Sequence, residues 1–455
     1  MKSRSLILIC ALIPFVMLLI SGSLVALHLY FLNTPNGQTN AVYFHSNLHD
    51  LREALRFRTD DSWGPMLRAQ QWLRENPGQD VYQALFFEQG IKFQYPTTSL
   101  FYTELQSIIA GSAAVQSLNI TNALLFLLAV VGMVLLTLGL VEHTRPSDTK
   151  REVRERIGIG FAAAIGTLCF YPLQRAWALG QIQILLDVLF IFSCYAFLHG
   201  RSATSGFLLG ASALIKPQMA LFLIWGLLRR DKTFVAGWIL PVGFGLTASI
   251  LAYGHAWIGG YIHVLSFISS HGESYFANQS ANGLMYRLLD LGPNLIWDAR
   301  GFAPPDFRVR IVTLLSSIMI ISMALVLAAR DSSREGGLVS LIVAGGCFTM
   351  ASPIAWEHHY GVLLPAFAFC FATLHAREKQ TGAALWPFRI TLATTFIVSA
   401  NALPFLNYFA KTSLNPIQSY LFFTAIVTLT LTYMLASRSR IQINDLAFRR
   451  ARFGP

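Results

Sequence analysis

The chain has 455 residues, 54% of them apolar and only 13% charged, with mean hydropathy +0.51 and a net charge of +11. A soluble domain carries about a quarter of its residues as charges, so the composition excludes a cytosolic enzyme, a disordered chain and a disulfide-rich secreted module. The apolar residues come in repeated runs able to cross roughly 30 Å of hydrocarbon, and basic excess in such a chain marks cytoplasmic loops, not nucleic acid.

The chain therefore reads as an all-α polytopic membrane protein, one integral-membrane domain over 1–455. Lys2 and Arg4 precede an apolar run from Ser5 to Leu32. That run is too long for a signal-peptide core, so a retained first helix is expected, with its N-terminus in the cytoplasm. Further spans are expected at about 119–142, 156–172, 181–198, 203–216, 218–228, 233–253, 309–329, 337–351, 359–376, 386–407 and 416–437. Basic clusters between them, with Lys2, Arg4 and the basic tail 438–455, hold 20 of the 34 Lys+Arg. Placing these clusters inside makes 33–97 and 254–308 external loops and both termini cytoplasmic. The segment 99–117, with Glu104, Gln106 and Gln116, is too polar for a crossing. A re-entrant or half-embedded segment preserves the parity, giving about twelve transmembrane helices besides it.

The first external loop is long enough to be suspected of function. Asn47 to Phe57 predicts an amphipathic interfacial helix, with Leu48, Leu51 and Leu55 on one face and Asp50, Arg52, Glu53 and Arg56 on another. A second helix is expected from Pro65. Asp60 and Asp61 lie between the two. Helix capping would explain such a pair, but a carboxylate in a partly desolvated cleft also suits a general base.

Later in the chain, Lys216-Pro217 ends an apolar span, where the lysine either snorkels or faces a polar cavity. The loop 254–308 carries Asn278-Gln279-Ser280 and Arg287, whose guanidinium suits an anionic phosphate, a lipid headgroup or an ion pair. Trp356-Glu357-His358-His359 joins two spans. No zinc-binding histidine–glutamate spacing accompanies these histidines, and the five cysteines lie far apart, so no metal site is expected. All these features map to the same non-cytoplasmic side.

In order, Asp61, Gly78 to Tyr82, Phe93-Gln94-Tyr95-Pro96, Gly180-Gln181-Ile182-Gln183, Gly206 to Lys216-Pro217, Asn278-Gln279-Ser280 to Arg287, and Ser352 to His359 resemble the signatures of glycosyltransferase family 87. The elements span roughly 60–365, with departures at Ser62 and at Tyr95-Pro96-Thr97. The resemblance implies a GT-C type membrane fold and transfer of a sugar, mannose favoured, from a polyprenyl-phosphate donor to a lipid or glycan acceptor outside the cytoplasmic membrane. It implies catalytic roles for Asp61 or Asp60, with His358 as the alternative base. Donor-phosphate contacts fall to Arg287, Lys216 and His359. Sugar or substrate contacts fall to Gln181, Asn278, Gln279, Tyr95, Trp356 and Glu357. No cofactor and no obligatory metal is expected, because cationic side chains can stabilise a departing phosphate. A transporter or lipid flippase is the alternative from another class, although no duplicated half with matching broken helices is evident.

Overall fold

The computed structural model describes residues 47–144, 153–330, 333–382 and 385–453, together with a few positions between 20 and 27. The expected first crossing at 5–32 and the side chains of the basic tail lie outside the described residues. Among those described, the fold is helical, with no strand and one isolated antiparallel bridge between Asn278 and Trp356.

The first loop is folded. Helix α1 (Asn47–Ala54) and helix α2 (Trp63–Glu75) precede a π-helical turn, Gln83–Glu88. Helix α2 starts two residues before the proline expected to open it, because the Asp60 carbonyl already accepts from Gly64 N (2.7 Å). Trp63, Met66, Tyr82 and Phe93 are buried in a satellite core with Trp257 and Tyr261. Each fully buried aromatic of this kind contributes roughly 1.5–3 kcal/mol, so the loop is held as a body.

Helix α1 keeps Leu51 and Leu55 exposed and departs from the expectation at Asp50, which is fully buried. The reason is docking: the Asn47 side chain bonds Ala400 O and Ala402 N, and Asp50 meets Arg175 at 2.8 Å.

The membrane-directed part begins with α3 (Leu100–Ala110) and α4 (Ala114–His143), separated at Gly111, where φ is 54°. A 49° bend divides α5 (Val153–Leu168) from α6 (Tyr171–Leu179). Then follow α7 (Gln183–Leu198), α8 (Ser202–Ala213), α9 (Leu221–Leu228) and α10 (Lys232–Tyr253). Helices α8 and α10 touch backbone to backbone: a Cβ on Gly206 would lie 2.1 Å from Phe234 O, and one on Gly237 2.1 Å from Ala203 O. Only glycine permits that approach.

The expected external loop 254–308 holds two helices, α11 (Ala256–His271) and α12 (Ala281–Leu288). The remainder comprises α13 (Phe307–Arg330), α14 (Arg334–Met350), a 3₁₀ segment Glu357–Leu363 leading into α15 (Leu364–Thr381), α16 (Trp386–Ser399) and α17 (Tyr420–Phe453). The main core lies among α4, α7, α14 and α15, with residues such as Phe190, Ile191, Phe348 and Phe367 buried.

Among the described residues, five helical stretches are long and apolar enough to cross a membrane: Thr97–His143, Lys232–Tyr253, Phe307–Arg330, Glu357–Thr381 and Asn415–Ser437. The bent α5–α6 pair would make a sixth. Gln183–Leu198, Pro217–Leu228 and Gly336–Met350 are apolar but shorter. At 1.5 Å per residue, 16 residues reach about 24 Å, less than the hydrocarbon thickness.

Candidate functional site

A cavity of about 1150 Å³ opens among the first loop, α6, the α8–α9 break, α11 and the segment before α15. Of the residues expected from the sequence, Asp60, Asp61, Tyr95, Gln181, Lys216, Trp356, Glu357, His358 and His359 all line it. Residues separated by almost 300 positions thus share one wall.

Asp61 is fixed by the corner between α6 and α7. Its N–H donates to Leu179 O (3.1 Å), Ser62 N donates to Gly180 O (3.2 Å), and Asn119 Nδ2 donates to Thr59 O (2.8 Å). Gly180 has φ +68°, and a Cβ there would sit 2.6 Å from Thr59 O. The Gln181 amide has one consistent orientation. Its Oε1 accepts from Ser62 Oγ (2.7 Å) and Tyr95 OH (3.1 Å), which turns Nε2 toward the Asp61 carboxylate as donor.

Asp61 is exposed to the cavity yet enclosed by protein on its other sides. That enclosure raises its pKa above the ordinary carboxylate range, outweighing the Gln181 hydrogen bond and the charges of Arg175 and Lys92, which act the other way. Asp60 also lines the cavity, but its carboxylate lies against Gly64 in the first turn of α2, and its carbonyl caps that turn.

Lys216 follows the end of α8 in the extended conformation that a following proline enforces. It is only 7% exposed and donates from Nζ to Gln183 Oε1 (2.7 Å). Gln183 in turn donates from Nε2 to Asp187 Oδ1 (2.8 Å), deep inside α7. Arg175 lines the cavity beside its partner Asp50. Glu357 accepts from Tyr171 OH (2.8 Å) and Tyr420 OH (3.4 Å).

The segment before α15 is held by the bridge to α12. Gln279 N donates to Ala355 O (2.7 Å) and Glu357 N to Ala277 O (3.1 Å). His359 Nδ1 accepts from Trp356 N (3.2 Å), so the ring proton resides on Nε2. His358 Nε2 is buried and has no hydrogen-bond partner among the described residues.

Three expected contact residues lie elsewhere. The Arg287 guanidinium, fully buried, donates to Ser419 Oγ (3.0 and 2.8 Å), Phe276 O (3.3 Å) and Asn278 O (2.7 Å). Burial lowers its pKa. Asn278 binds Glu273 O, Pro353 O and Ala355 N, and Gln279 binds Phe276 O, Gln418 O and Leu421 N. These side chains are committed to protein groups behind the cavity wall, because the turn carrying Pro353 to Trp356 has no regular ladder of its own and its polar groups need partners.

Arg175 and Asp187 are not among the residues expected from the sequence, and Gln183 enters there only within Gly180-Gln181-Ile182-Gln183, without a role of its own. Asp187 carried a signal: an acid within an otherwise apolar span is a functional candidate by default. Arg175 carried almost none. Among the described residues no three His, Cys, Asp or Glu side chains converge as a metal set. One part of the cavity wall is apolar, with Ile215, Leu221, Leu265, Ile268, Ile321 and Phe348, while Arg68, Lys92 and Arg300 line it elsewhere.

The family model described as glycosyltransferase family 87 matches residues 93–353. That range includes Tyr95, Gln181, Lys216 and Arg287, and stops short of Asp61 and of Glu357 to His359. A relative from Mycolicibacterium smegmatis, named a polyprenol-phosphate-mannose-dependent alpha-(1-2)-phosphatidylinositol mannoside mannosyltransferase, is 24% identical over 310 residues, covering 65% of this chain and 66% of the relative. One of the same name from Mycobacterium tuberculosis is 26% identical over 209 residues, 45% of this chain and 44% of the relative. The matched part thus spans just under two thirds of the first relative's length and under half of the second's. No solved structure matches the chain.

Proposed function

The chain belongs to glycosyltransferase family 87, and on that premise we propose that it transfers a mannosyl residue from a polyprenyl-phosphate donor to a hydroxyl of a lipid or glycan acceptor. The observation that carries this reading is the pairing, in one cavity, of a carboxylate held by Gln181 with a buried lysine, beside an apolar wall suited to an isoprenoid chain.

The reaction is an inverting direct displacement. Asp61 accepts the proton of the acceptor hydroxyl as that oxygen bonds to the anomeric carbon. The bond from that carbon to the phosphate oxygen breaks, and polyprenyl phosphate departs with its bonding electrons. Lys216 meets the growing negative charge, with Arg175 in reach of the same cavity and His358 Nε2 and His359 at its edge. A general base of this kind supplies roughly 10²–10⁴-fold. Tyr95 and Gln181 fix the base. Trp356 and Glu357 face the sugar, and Arg287, Asn278 and Gln279 hold the turn that carries them. No metal is required, since the leaving group is a phosphate monoester met by cationic side chains.

The fold that accommodates this is GT-C type, with about twelve crossings, a half-embedded stretch at 99–117, both termini in the cytoplasm and the cavity facing outside the cytoplasmic membrane. Support comes from the distribution of Lys and Arg. Transfer from radiolabelled polyprenyl-phosphate mannose to a phosphatidylinositol mannoside in proteoliposomes tests the reaction. Full activity in both Asp61→Asn and Asp60→Asn would overturn the assignment of the base.

A further inference from the structure

At the open end of the cavity, Trp356 stands in a wall with two aromatic side chains that the proposed reaction has not used, Tyr275 and Trp297. Trp297 is 37% exposed and stands on a segment, 289–306, with little regular structure. That segment is nevertheless pinned. Asn294 Nδ2 donates to Asn415 Oδ1 and Gln418 Oε1 (2.8 Å each), and Asn294 O accepts from Phe276 N (2.8 Å). Lys92 donates to Asp298 O (2.8 Å) and places its ammonium 3.9 Å from the Trp297 ring centroid.

The rings are tilted against one another. Trp297 meets Trp356 at 5.1 Å and 78°, Tyr275 meets Trp297 at 5.8 Å and 54°, and Tyr275 meets Trp356 at 6.2 Å and 62°. None of the three is stacked face to face on another, and although the Lys92 ammonium lies over one face of Trp297, that residue stays 37% exposed. An exposed tryptophan on a rigid, pinned loop loses little conformational freedom when it takes a ligand.

The chemistry of the wall selects its occupant. A pyranose ring has one face of C–H bonds, which packs on the electron-rich face of an aromatic ring, and a rim of hydroxyls that suits nearby polar groups such as Arg300 and Lys92. An isoprenoid chain would instead follow the aliphatic wall at Leu221 and Ile321. The cavity exceeds the roughly 300–1,000 Å³ of an ordinary small-molecule pocket, leaving room for a second sugar beside the donor. The donor phosphate belongs at the buried end, beside Lys216. We infer that Trp297, with Tyr275 and Trp356, forms an acceptor subsite that stacks a pyranose ring of a glycan acceptor.

This inference rests on the transferase reading, so the experiment separates the two. The purified protein in nanodiscs is titrated with soluble mannobiose, following binding by calorimetry, and steady-state transfer is measured with polyprenyl-phosphate mannose and a phosphatidylinositol mannoside. Trp297→Ala should weaken mannobiose binding and raise the acceptor KM by about tenfold or more, with the donor KM unchanged. Trp297→Phe, which keeps an aromatic face, should recover most of the loss. Wild-type binding of mannobiose that is lost in Trp297→Ala, without transfer, would sustain the subsite and count against the transferase reading. Absence of mannobiose binding, equal binding in both proteins, or a rise in donor KM alone would overturn the subsite.

Discussion

Gln181 and Gln183, two residues apart at the start of α7, present opposite ends of the same amide group to two sides of the cavity. Gln181 offers its N–H to Asp61, and Gln183 offers its carbonyl oxygen to Lys216. Each amide is prevented from turning over by a further partner: Ser62 and Tyr95 for the first, Asp187 for the second. One short stretch at the start of α7 thereby orients both the Asp61 carboxylate and the Lys216 ammonium.

Asp61→Asn should lower transfer by roughly 10²–10⁴-fold, the usual share of a general base. Asp60→Asn should act far less, because that carboxylate lies against the first turn of α2. Initial rates in proteoliposomes check both, and a reversed order would exchange the roles of the two aspartates.

The pH profile follows from the direction of the Asp61 shift. Enclosure raises its pKa, the deprotonated form is the base, and activity should therefore fall as pH drops through a value above the ordinary 3.9. Gln181 lowers that pKa by donating to the carboxylate, so Gln181→Ala should move the acidic limb to higher pH. A limb that stays in place, or moves down, contradicts the assignment.

Lys216→Gln should raise the donor KM by roughly 10- to 100-fold, the worth of a charge-assisted contact. Asp187→Ala frees Gln183 to rotate, and should weaken donor binding while leaving the acceptor KM unchanged. Asp187→Asn retains an acceptor oxygen for Gln183 and should restore most of the loss. Equal behaviour of the two Asp187 variants would remove the orienting role.

Arg287→Ala strips four hydrogen bonds to buried groups and should destabilise the fold by about 3 kcal/mol or more, seen as a lower thermal midpoint in detergent. The donor KM of the folded fraction should hold. A raised donor KM at unchanged thermal midpoint would instead put this guanidinium on the phosphate.

The sequence made the polar residues of this site legible because hydrocarbon is so unforgiving a solvent. Against an apolar background, Lys216 and Glu357 to His359 stand out, and charge-derived topology already grouped them with Asp61. Legibility failed where burial is set by a distant partner. Asp50 sits at a helical position that reads as solvent-facing, and only α6, 125 residues away, supplies the arginine that draws it inward. Arg287 failed for a related reason: periodicity and spacing cannot distinguish a guanidinium offered to a ligand from one consumed by carbonyl oxygens. The helices inside 254–308 were hidden by their length and mixed polarity.

Gly180 carries a consequence for how the protein comes into being. Because its missing side chain lets Thr59 rest on the α6–α7 corner, the loop bearing Asp61 has no seat until that corner has been synthesised and inserted. The cation arrives some 35 residues later still, and the histidines about 140 beyond it. During biogenesis the first loop must therefore wait, already made, for partners that emerge from the ribosome afterwards. A chain interrupted before residue 350 would seat the Asp61 loop and Lys216 but lack the wall formed by Trp356 to His359, so the cavity closes only once synthesis has passed that segment.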